Sequence, residues 1–410
     1  MRKRLLMAAA ATALMVGAGE VAAVDKVAKI GVLAPVSGKS AAEATEMVNG
    51  AQLAVDEINA AGGVAGYKLE IVVGDTQEQA ADAVTSAFER LASDRDLNVM
   101  VSGYASGSNF EIEMMAEQDM PYIIGGNTAQ TRDIIKPDPD RFPTVWSLLP
   151  SFDGLETELV PVVEALQKDG KIKLDNNKVA LIASDNPYSK SIMNGLGKNF
   201  EAAGWTITSQ DLLPFGEIND WRAFLGKVRQ DNPAVVVNTD YLPGNAATFL
   251  TQFLEQPTNS LVTIQYAPAI PEFLELTKDK ANGIIYYIIG GAIPSAKNPR
   301  AQDVVSRYEK RYGIKPGLYG VHLYEQVQVY ADALAKVGDP TDRLAIGKAI
   351  SETDKETAIG RVQFDPATHL AIQGNDNIPI QFYQLWNGER VLFYPPQYAD
   401  GEFRAPPWMK

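Results

Sequence analysis

Short continuous apolar runs alternate with helix-length stretches along most of this chain, and this alternation restricts the fold more than any other feature. The first run, at 29–35, is followed by apolar residues at helical spacing from Val48 to Ile58 and by a second run at 69–73. Similar runs follow at 98–102, 121–124, 178–183, 234–237, 261–266 and 284–289. Strands without polar alternation are buried on both faces, so the pattern predicts an α/β fold with parallel sheets covered by helices.

A proline-rich stretch separates these units into two sets. Residues 136–143 contain three prolines, which continue neither a helix nor a central strand. Near the end of the chain, Asn387-Gly388 lies between aromatic and apolar runs at 381–386 and 389–394, which is a strong signal for a β-hairpin. The sequence therefore predicts two α/β units, with an antiparallel hairpin at the edge of one sheet.

Residues 1–23 have the features of a signal peptide. A basic start at residues 2–4 precedes an Ala-rich apolar segment, and Val21-Ala22-Ala23 supplies small residues for cleavage. The apolar segment is short for a permanent membrane span, and the chain has no Cys to carry a lipid. We therefore expect residues 1–23 to be removed and the protein to be free in the periplasm, with no direct membrane insertion; an uncleaved anchor is the alternative.

Composition and motif spacing exclude several classes of function. The absence of Cys excludes thiol enzymes, and a net charge of −14 disfavours nucleic acid partners. Gly38-Lys39-Ser40 lacks the first glycine of a phosphate-binding loop, because that position is Leu33. The serine in 103–107 lacks the spacing of a hydrolase nucleophile, and His322 and His369 lack metal-binding spacing. We therefore predict no catalytic residue, no metal site and no cofactor.

Small, polar and aromatic residues follow the carboxyl ends of the predicted strands, where open parallel sheets bind ligands. Three of these loops lie on each side of the proline-rich stretch, and two facing sets would form a cleft for a small organic molecule. Such residues also serve as turns and helix caps, but that explanation accounts less well for four tyrosines in four loops. The predicted ligand-binding residues are Ser37, Tyr104, Ser106, Gly107, Asn127, Thr128, Asp185, Tyr188, Asp240, Tyr241 and Tyr266.

Three segments carry a resemblance to a known family: 30–38, the helix at 50–59 with the turn after it, and 360–365. In this order, behind a signal peptide, they resemble the branched-chain amino acid, amide and urea branch of the periplasmic solute-binding proteins of ABC transporters. The resemblance extends from about residue 29 to residue 394. It implies a non-enzymatic, monomeric protein that binds a small molecule and delivers it to a membrane permease.

The resemblance also implies a specific architecture, the type I periplasmic binding protein. Two Rossmann-like lobes with parallel sheets are joined by three crossing strands, and they close on the ligand like a hinge. Lobe I would comprise 25–145 and 290–358, and lobe II would comprise 146–280 and 359–400. Residues 281–289 would form a crossing strand.

By the same resemblance, lobe I holds the ligand carboxylate or carbonyl group through Ser106, Gly107, Asn127 and Thr128. Lobe II would then close over the ligand with Tyr188, Tyr241 and the segment 265–268. In amino acid binders of this family, that last segment usually carries an acid for the ligand ammonium group. The sequence Tyr266-Ala267-Pro268 supplies none.

Two ligand hypotheses follow, because an ammonium group without a partner in a closed cleft is costly. In the first, the ligand is an amino acid and Asp240, or else Asp185, replaces the missing acid. In the second, the ligand is an amide, a urea-like compound or an aromatic carboxylate that stacks on the tyrosines. An enzyme on the same fold and a sensor that reports the ligand to a membrane receptor are alternatives from other classes.

Overall fold

The computed structural model describes residues 26–37, 40–77 and 79–410. The predicted signal peptide and the Gly38-Lys39 pair lie outside the described residues. Within them, two separate sheets organise the chain, joined by a small two-stranded ribbon of β11 (Lys355–Thr357) and β12 (Gly360–Val362).

The first sheet has five parallel strands in the order β2-β1-β3-β4-β5. Its strands are β1 (Lys26–Ala34), β2 (Tyr67–Asp75), β3 (Leu97–Ser102), β4 (Tyr122–Ile124) and β5 (Val145–Ser147). The helices between them are α1 (Ala41–Ala60), α2 (Ala81–Ala92), α3 (Glu111–Ala116) and α4 (Thr128–Ile135). Helices α11 (Pro299–Tyr312), α12 (Leu318–Val337) and α13 (Arg343–Ser351) also pack on this sheet, through contacts of α12 with α1 and of α13 with β5.

The second sheet has seven strands in the order β14-β13-β10-β9-β8-β6-β7, and it is parallel except at the β13 and β14 end. Its strands are β6 (Lys178–Ser184), β7 (Thr206–Leu213), β8 (Val235–Asn238), β9 (Leu261–Ile264), β10 (Ile285–Ile289), β13 (Ile380–Trp386) and β14 (Glu389–Tyr394). Its helices are α5 (Gly154–Thr157), α6 (Leu159–Lys168), α7 (Pro187–Ala202), α8 (Arg222–Asp231), α9 (Pro243–Glu255) and α10 (Pro271–Thr277).

The prediction of two parallel α/β units is confirmed, and so is the terminal hairpin. Strands β13 and β14 pair antiparallel around Asn387 and Gly388, both of which have positive φ, as the tight turn requires. The edge strand β7 was not predicted, because its residues alternate between half-buried and exposed positions instead of forming an apolar run. Its environment is that of an edge strand with one face in solvent.

The chain passes between the two sheets three times: after β5, after β10 and between β12 and β13. Strand β5 still pairs with β4, so the first passage follows the proline-rich stretch and begins beyond residue 147. The expected crossing strand at 281–289 contains β10, which the structure places inside the second sheet, between β9 and β13. The first and second sheets with their helices are called lobe I and lobe II below.

Candidate ligand-binding cleft

Two tyrosines form the lobe I side of the cleft. Tyr104, which follows β3, packs edge to face against Tyr319 in the first turn of α12, with ring centroids 5.1 Å apart. The Tyr104 hydroxyl donates a hydrogen bond to the Glu43 carboxylate on α1. A side chain at Gly103 would overlap Met47 and Tyr319, so the missing Cβ lets the Tyr319 ring approach the strand end. Helices α1 and α12 therefore meet the loop after β3 at this point.

A second aromatic group forms the lobe II side. Tyr188 lies in the first turn of α7, and its ring packs edge to face against Tyr241, 5.9 Å away between centroids. Phe152 contacts Tyr188 and Phe215 contacts Tyr241, at 6.3 Å and 6.0 Å respectively. Burial, with Tyr266 and Tyr241 as neighbours, raises the pKa of Tyr188, so its hydroxyl stays protonated and able to donate.

Tyr266 connects the two groups. It is the central residue of a three-residue γ-turn, in which the Ala267 N–H donates to the Gln265 carbonyl over 2.8 Å. Its φ of 65° and ψ of −51° belong to a strained conformation that is rare for a residue with a side chain. Burial raises the pKa of Tyr266, and the Glu43 and Glu46 carboxylates of lobe I raise it further. A lobe II tyrosine thus lies within electrostatic range of lobe I carboxylates, and the cleft is lined from both lobes.

Glu43 and Glu46 lie one turn apart near the amino end of α1. The Glu46 carboxylate lies against the backbone at the amino end of α12, near Gly317 and Gly320. A side chain at Gly317 would overlap that carboxylate, so glycine permits the contact. Burial raises the pKa of Glu46 to about 7. Neither glutamate was predicted from the sequence, because both lie within a helix and not in a loop after a strand.

Titration of Glu46 predicts a dependence of stability on pH. The pKa of this carboxyl rises from its ordinary 4.5 to about 7 on folding, so between these values the folded protein binds more protons than the unfolded chain. The contribution of Glu46 to the free energy of unfolding is therefore largest below its ordinary pKa. As pH rises through the folded-state pKa, the free energy of unfolding falls by at most about 3 kcal/mol. Glu43, Tyr266 and Tyr308 face the same carboxyl. In urea unfolding between pH 5 and 8, Glu46→Gln should show a flatter slope than the unsubstituted protein; parallel curves would contradict this assignment.

The loops after β3 and β4 lie together, as the resemblance implies. The Asn127 side-chain amide donates to the Ser106 carbonyl over 2.7 Å, and Gly107 is exposed beside them. The Ser106 hydroxyl donates to the buried Glu111 carboxylate over 2.5 Å, and the Thr128 hydroxyl accepts a backbone N–H from the segment before α5. Asn127 does not cap α4 with its side chain. The Ser106 hydroxyl and the Asn127 amide therefore donate within the protein, whereas the Thr128 hydroxyl keeps its own hydrogen to donate.

Asp240 is fully buried, and both of its carboxylate oxygens are occupied. One accepts the Leu242 N–H over 2.9 Å, and the other accepts the Asn245 side-chain amide over 2.7 Å. Burial raises the pKa of Asp240, and these hydrogen bonds oppose that rise. The arrangement stabilises the turn into α9. Each oxygen keeps a second lone pair, but the carboxylate is fully buried, so an ammonium group could reach Asp240 only if the residues around it moved.

The other two predicted polar residues are exposed. Asp185 forms an ion pair with Lys190 on the surface of α7, with a distance of 2.7 Å. Ser37 donates its hydroxyl to Asp75 over 2.8 Å at the ends of β1 and β2. The side-chain partners of both residues belong to their own lobe. The tyrosines, in contrast, converge from separate elements of both lobes.

A surface pocket of about 480 Å³ lies at the opposite end of lobe I, at the starts of β3 and α13. The Arg343 guanidinium there donates to the carbonyls of Gln118 and Leu97. This cation therefore joins α13 to the sheet. The strand ends that bear the tyrosines are elsewhere, so we place the candidate site in the cleft and not in this pocket.

Within the described parts of the chain, no helix combines the length and apolarity needed to cross a bilayer. The same residues contain no group of three or more His, Cys, Asp or Glu side chains arranged to hold a metal ion.

Two parallel-sheet lobes with aromatic side chains converging at their strand ends define a two-lobed small-molecule binding protein. A family model described as periplasmic binding protein matches residues 27–384, and the chain belongs to this family. The resemblance stated from the sequence is thereby confirmed, and the family implies an extracytoplasmic location. The homologues are substrate-binding proteins and not enzymes.

Curated relatives extend over nearly the whole chain. The Leu/Ile/Val-binding protein BraC3 of Rhizobium johnstonii is 24% identical over 84% of this chain and 89% of its own length. The Leu/Ile/Val-binding protein homolog 7 of Brucella abortus is 26% identical over 98% of this chain and 99% of its own length. The chain is a solute-binding protein of the type associated with branched-chain amino acid ABC transporters.

Solved structures support the same fold. A putative branched-chain amino acid ABC transporter from Silicibacter pomeroyi superposes with a TM-score of 0.88 and 26% identity, over 94% of this chain and all of that chain. LivJ of Streptococcus pneumoniae, solved in complex with isoleucine, has a TM-score of 0.68 and 22% identity over 89% of this chain and 98% of its own.

Proposed function

We propose that this protein captures an amino acid in the cleft and delivers it to the permease of an ABC transporter. The observation that carries the proposal is the convergence of Tyr104 and Tyr319 from lobe I with Tyr188, Tyr241 and Tyr266 from lobe II. Their rings offer apolar contact area and their hydroxyls offer hydrogen bonds, which suits a small molecule with an apolar body and polar ends. The names of the relatives, and two neighbours solved with Leu and with isoleucine, support the choice of an amino acid.

Lobe closure follows from where these contacts lie. A ligand between the two aromatic groups touches both lobes only in the closed arrangement, so it favours that arrangement over an open one. Three chain passages connect the lobes, which is the geometry of a hinge closing around a ligand. The closed form would be the one that docks on the permease. We propose that the mature protein, after removal of residues 1–23, acts as a periplasmic monomer.

A thermal-shift panel tests the function. The protein is first unfolded and refolded to remove carried ligand, and then mixed with amino acids, short amides, urea, and aliphatic and aromatic carboxylates. A ligand at 100 times its Kd adds about 2.7 kcal/mol to the free energy of unfolding, which raises Tm by a few degrees. We expect shifts with branched-chain or aromatic amino acids. If only amides or carboxylates without an ammonium group shift Tm, the second ligand hypothesis is favoured over an amino acid. If no compound shifts Tm, solute binding itself is contradicted.

Removing one aromatic side chain from lobe II provides a second test. Tyr188→Ala should weaken ligand binding by at least about tenfold, because its ring contacts both Phe152 and Tyr241 and its loss opens the lobe II side of the cleft. Calorimetric titration with a ligand found in the panel measures this loss. Tyr188→Phe, which retains the ring, should stay closer to the unsubstituted protein. Unchanged affinity in the alanine variant would place the ligand elsewhere.

A further inference from the structure

We propose that the cleft recognises its ligand chiefly through a positively charged ammonium group, which lies against tyrosine rings beside Glu43 of α1. The residues concerned, Glu43, Glu46, Tyr104, Tyr266 and Tyr319, are called the tyrosine–glutamate cage. The proposal rests on the proposed function, since it places the charged end of a ligand in the same cleft. It also assigns the ammonium partner to lobe I, in place of Asp240 or the loop at 265–268.

Three tyrosines contribute aromatic rings to the cage. Tyr104 and Tyr319 meet at an interplanar angle of 71°, so one presents its edge where the other presents its face. Tyr266 approaches from lobe II and lies within electrostatic range of both rings. Cations are attracted to the faces of aromatic rings, and desolvation strengthens this attraction. The γ-turn at Tyr266 sets the direction in which its side chain leaves the backbone.

The Glu43 carboxylate supplies the local charge. Glu43 accepts the Tyr104 hydroxyl and lies within electrostatic range of Tyr241, Tyr266 and Tyr319. The Glu43 carboxylate therefore offers a counter-ion to an ammonium group and would repel an anionic group placed beside it.

His322 does not change this balance. Its ring lies 6.1 Å from that of Tyr319, and it is fully buried. One ring nitrogen, Nε2, is 2.6 Å from the Gly290 carbonyl. Burial lowers the pKa of His322 to about 4, so the ring is neutral at physiological pH.

Polar groups elsewhere in the cleft agree with recognition through the cation. The Ser106 hydroxyl and the Asn127 amide already donate within the protein, whereas the Thr128 hydroxyl accepts a backbone N–H and keeps its own hydrogen to donate. Gln265, immediately before Tyr266, is fully buried, and neither its amide oxygen nor its amide nitrogen has a partner. A buried amide without partners is costly and calls for a polar group to pair with it.

Matched ligands test the proposal on the unsubstituted protein. Calorimetric titration would compare leucine with 3-methylbutylamine, which lacks the carboxylate, and with 4-methylpentanoate, which lacks the ammonium group. Phenylalanine, 2-phenylethylamine and 3-phenylpropanoate form a second set. We expect each amine to bind within about tenfold of its amino acid and each acid to lose at least about a hundredfold. If the carboxylates retain affinity and the amines lose it, recognition through the ammonium group is wrong, whereas solute binding remains supported.

A pair of variants tests Glu43 directly. Glu43→Gln should weaken amine and amino acid binding by at least about thirtyfold, whereas the control Glu89→Gln, on the exposed surface of α2, should leave both unchanged. Far-ultraviolet circular dichroism and Tm confirm that each variant is folded. Equal losses in both variants, or none in Glu43→Gln, would overturn the assignment. If no amino acid of the thermal-shift panel binds the unsubstituted protein, both the proposed function and the cage are wrong.

Discussion

Replacement of Glu325 by alanine is expected to lower the free energy of unfolding by about 3–5 kcal/mol, because it leaves a partly buried guanidinium without its counter-ion. Glu325 lies on α12 with no exposed surface. Its two carboxylate oxygens accept N–H groups of Arg300 on α11, over 3.0 Å and 2.7 Å. One of them also accepts the Ala358 backbone N–H over 2.9 Å. Three groups therefore lose their hydrogen-bond acceptor in the variant.

Urea unfolding with matched controls separates this effect from a general loss of charge. The exposed pair of Lys348 and Glu352 has side chains 77% and 54% exposed, and Glu352→Ala should cost less than about 1 kcal/mol. A double variant, Arg300→Met with Glu325→Leu, should recover part of the loss, since apolar pairs often replace buried ion pairs without penalty. A Glu325→Ala variant as stable as Glu352→Ala would show that the pair contributes little.

The position of this pair gives it a role beyond stability. Ala358 lies between β11 and β12, close to the third passage of the chain between the lobes. The Asn298 amide, which begins α11, donates to the Thr357 carbonyl over 3.3 Å in the same segment. Both contacts fix the passage to lobe I helices. We therefore expect the lobes to rotate about residues beyond β12 and not within this ribbon.

Much of the fold was predictable because its signals are local. Inner strands such as β3 and β8 are buried along their whole length, so they appear in the sequence as continuous apolar runs. The terminal hairpin is determined by a turn, Asn387-Gly388, whose backbone conformation few other residues adopt. Edge strand β7 has neither signal, since one of its faces contacts solvent. A local hydrophobic pattern does not reveal a strand in which half of the residues are polar.

The cleft was predictable only in part, for a physical reason. Parallel strands end at one edge of a sheet, so the four loop tyrosines could be selected from strand order alone. Tyr319 and Glu46 lie on helices, and their place near those loops depends on how α1 packs against α12. A signal for Glu43 does exist. It lies four residues before Met47 and seven before Gly50, on the stripe of α1 that faces the core.

The packing of α1 on α12 leads to the second large effect, at Gly50. The two helices approach so closely there that a Cβ on Gly50 would overlap the Gly320 carbonyl. Gly50→Val should therefore force the helices apart and destabilise the protein by about 3 kcal/mol, the upper end of the usual cost of overpacking. Because α1 carries Glu43 and α12 carries Tyr319, the same displacement should weaken ligand binding.

A second helical glycine makes this prediction specific. Gly226 lies inside α8, and a Cβ there would meet no atom within 4 Å. Gly226→Ala should stabilise the protein by about 1 kcal/mol through helix propensity, whereas Gly50→Ala, with the same gain in propensity, should destabilise it. Urea unfolding and calorimetric titration measure both variants. If the two variants change the free energy of unfolding in opposite directions and only Gly50→Ala loses ligand affinity, the contact between α1 and α12 positions Glu43 against the tyrosines. If both variants are stabilised, α1 and α12 separate without cost and the cage tolerates their movement.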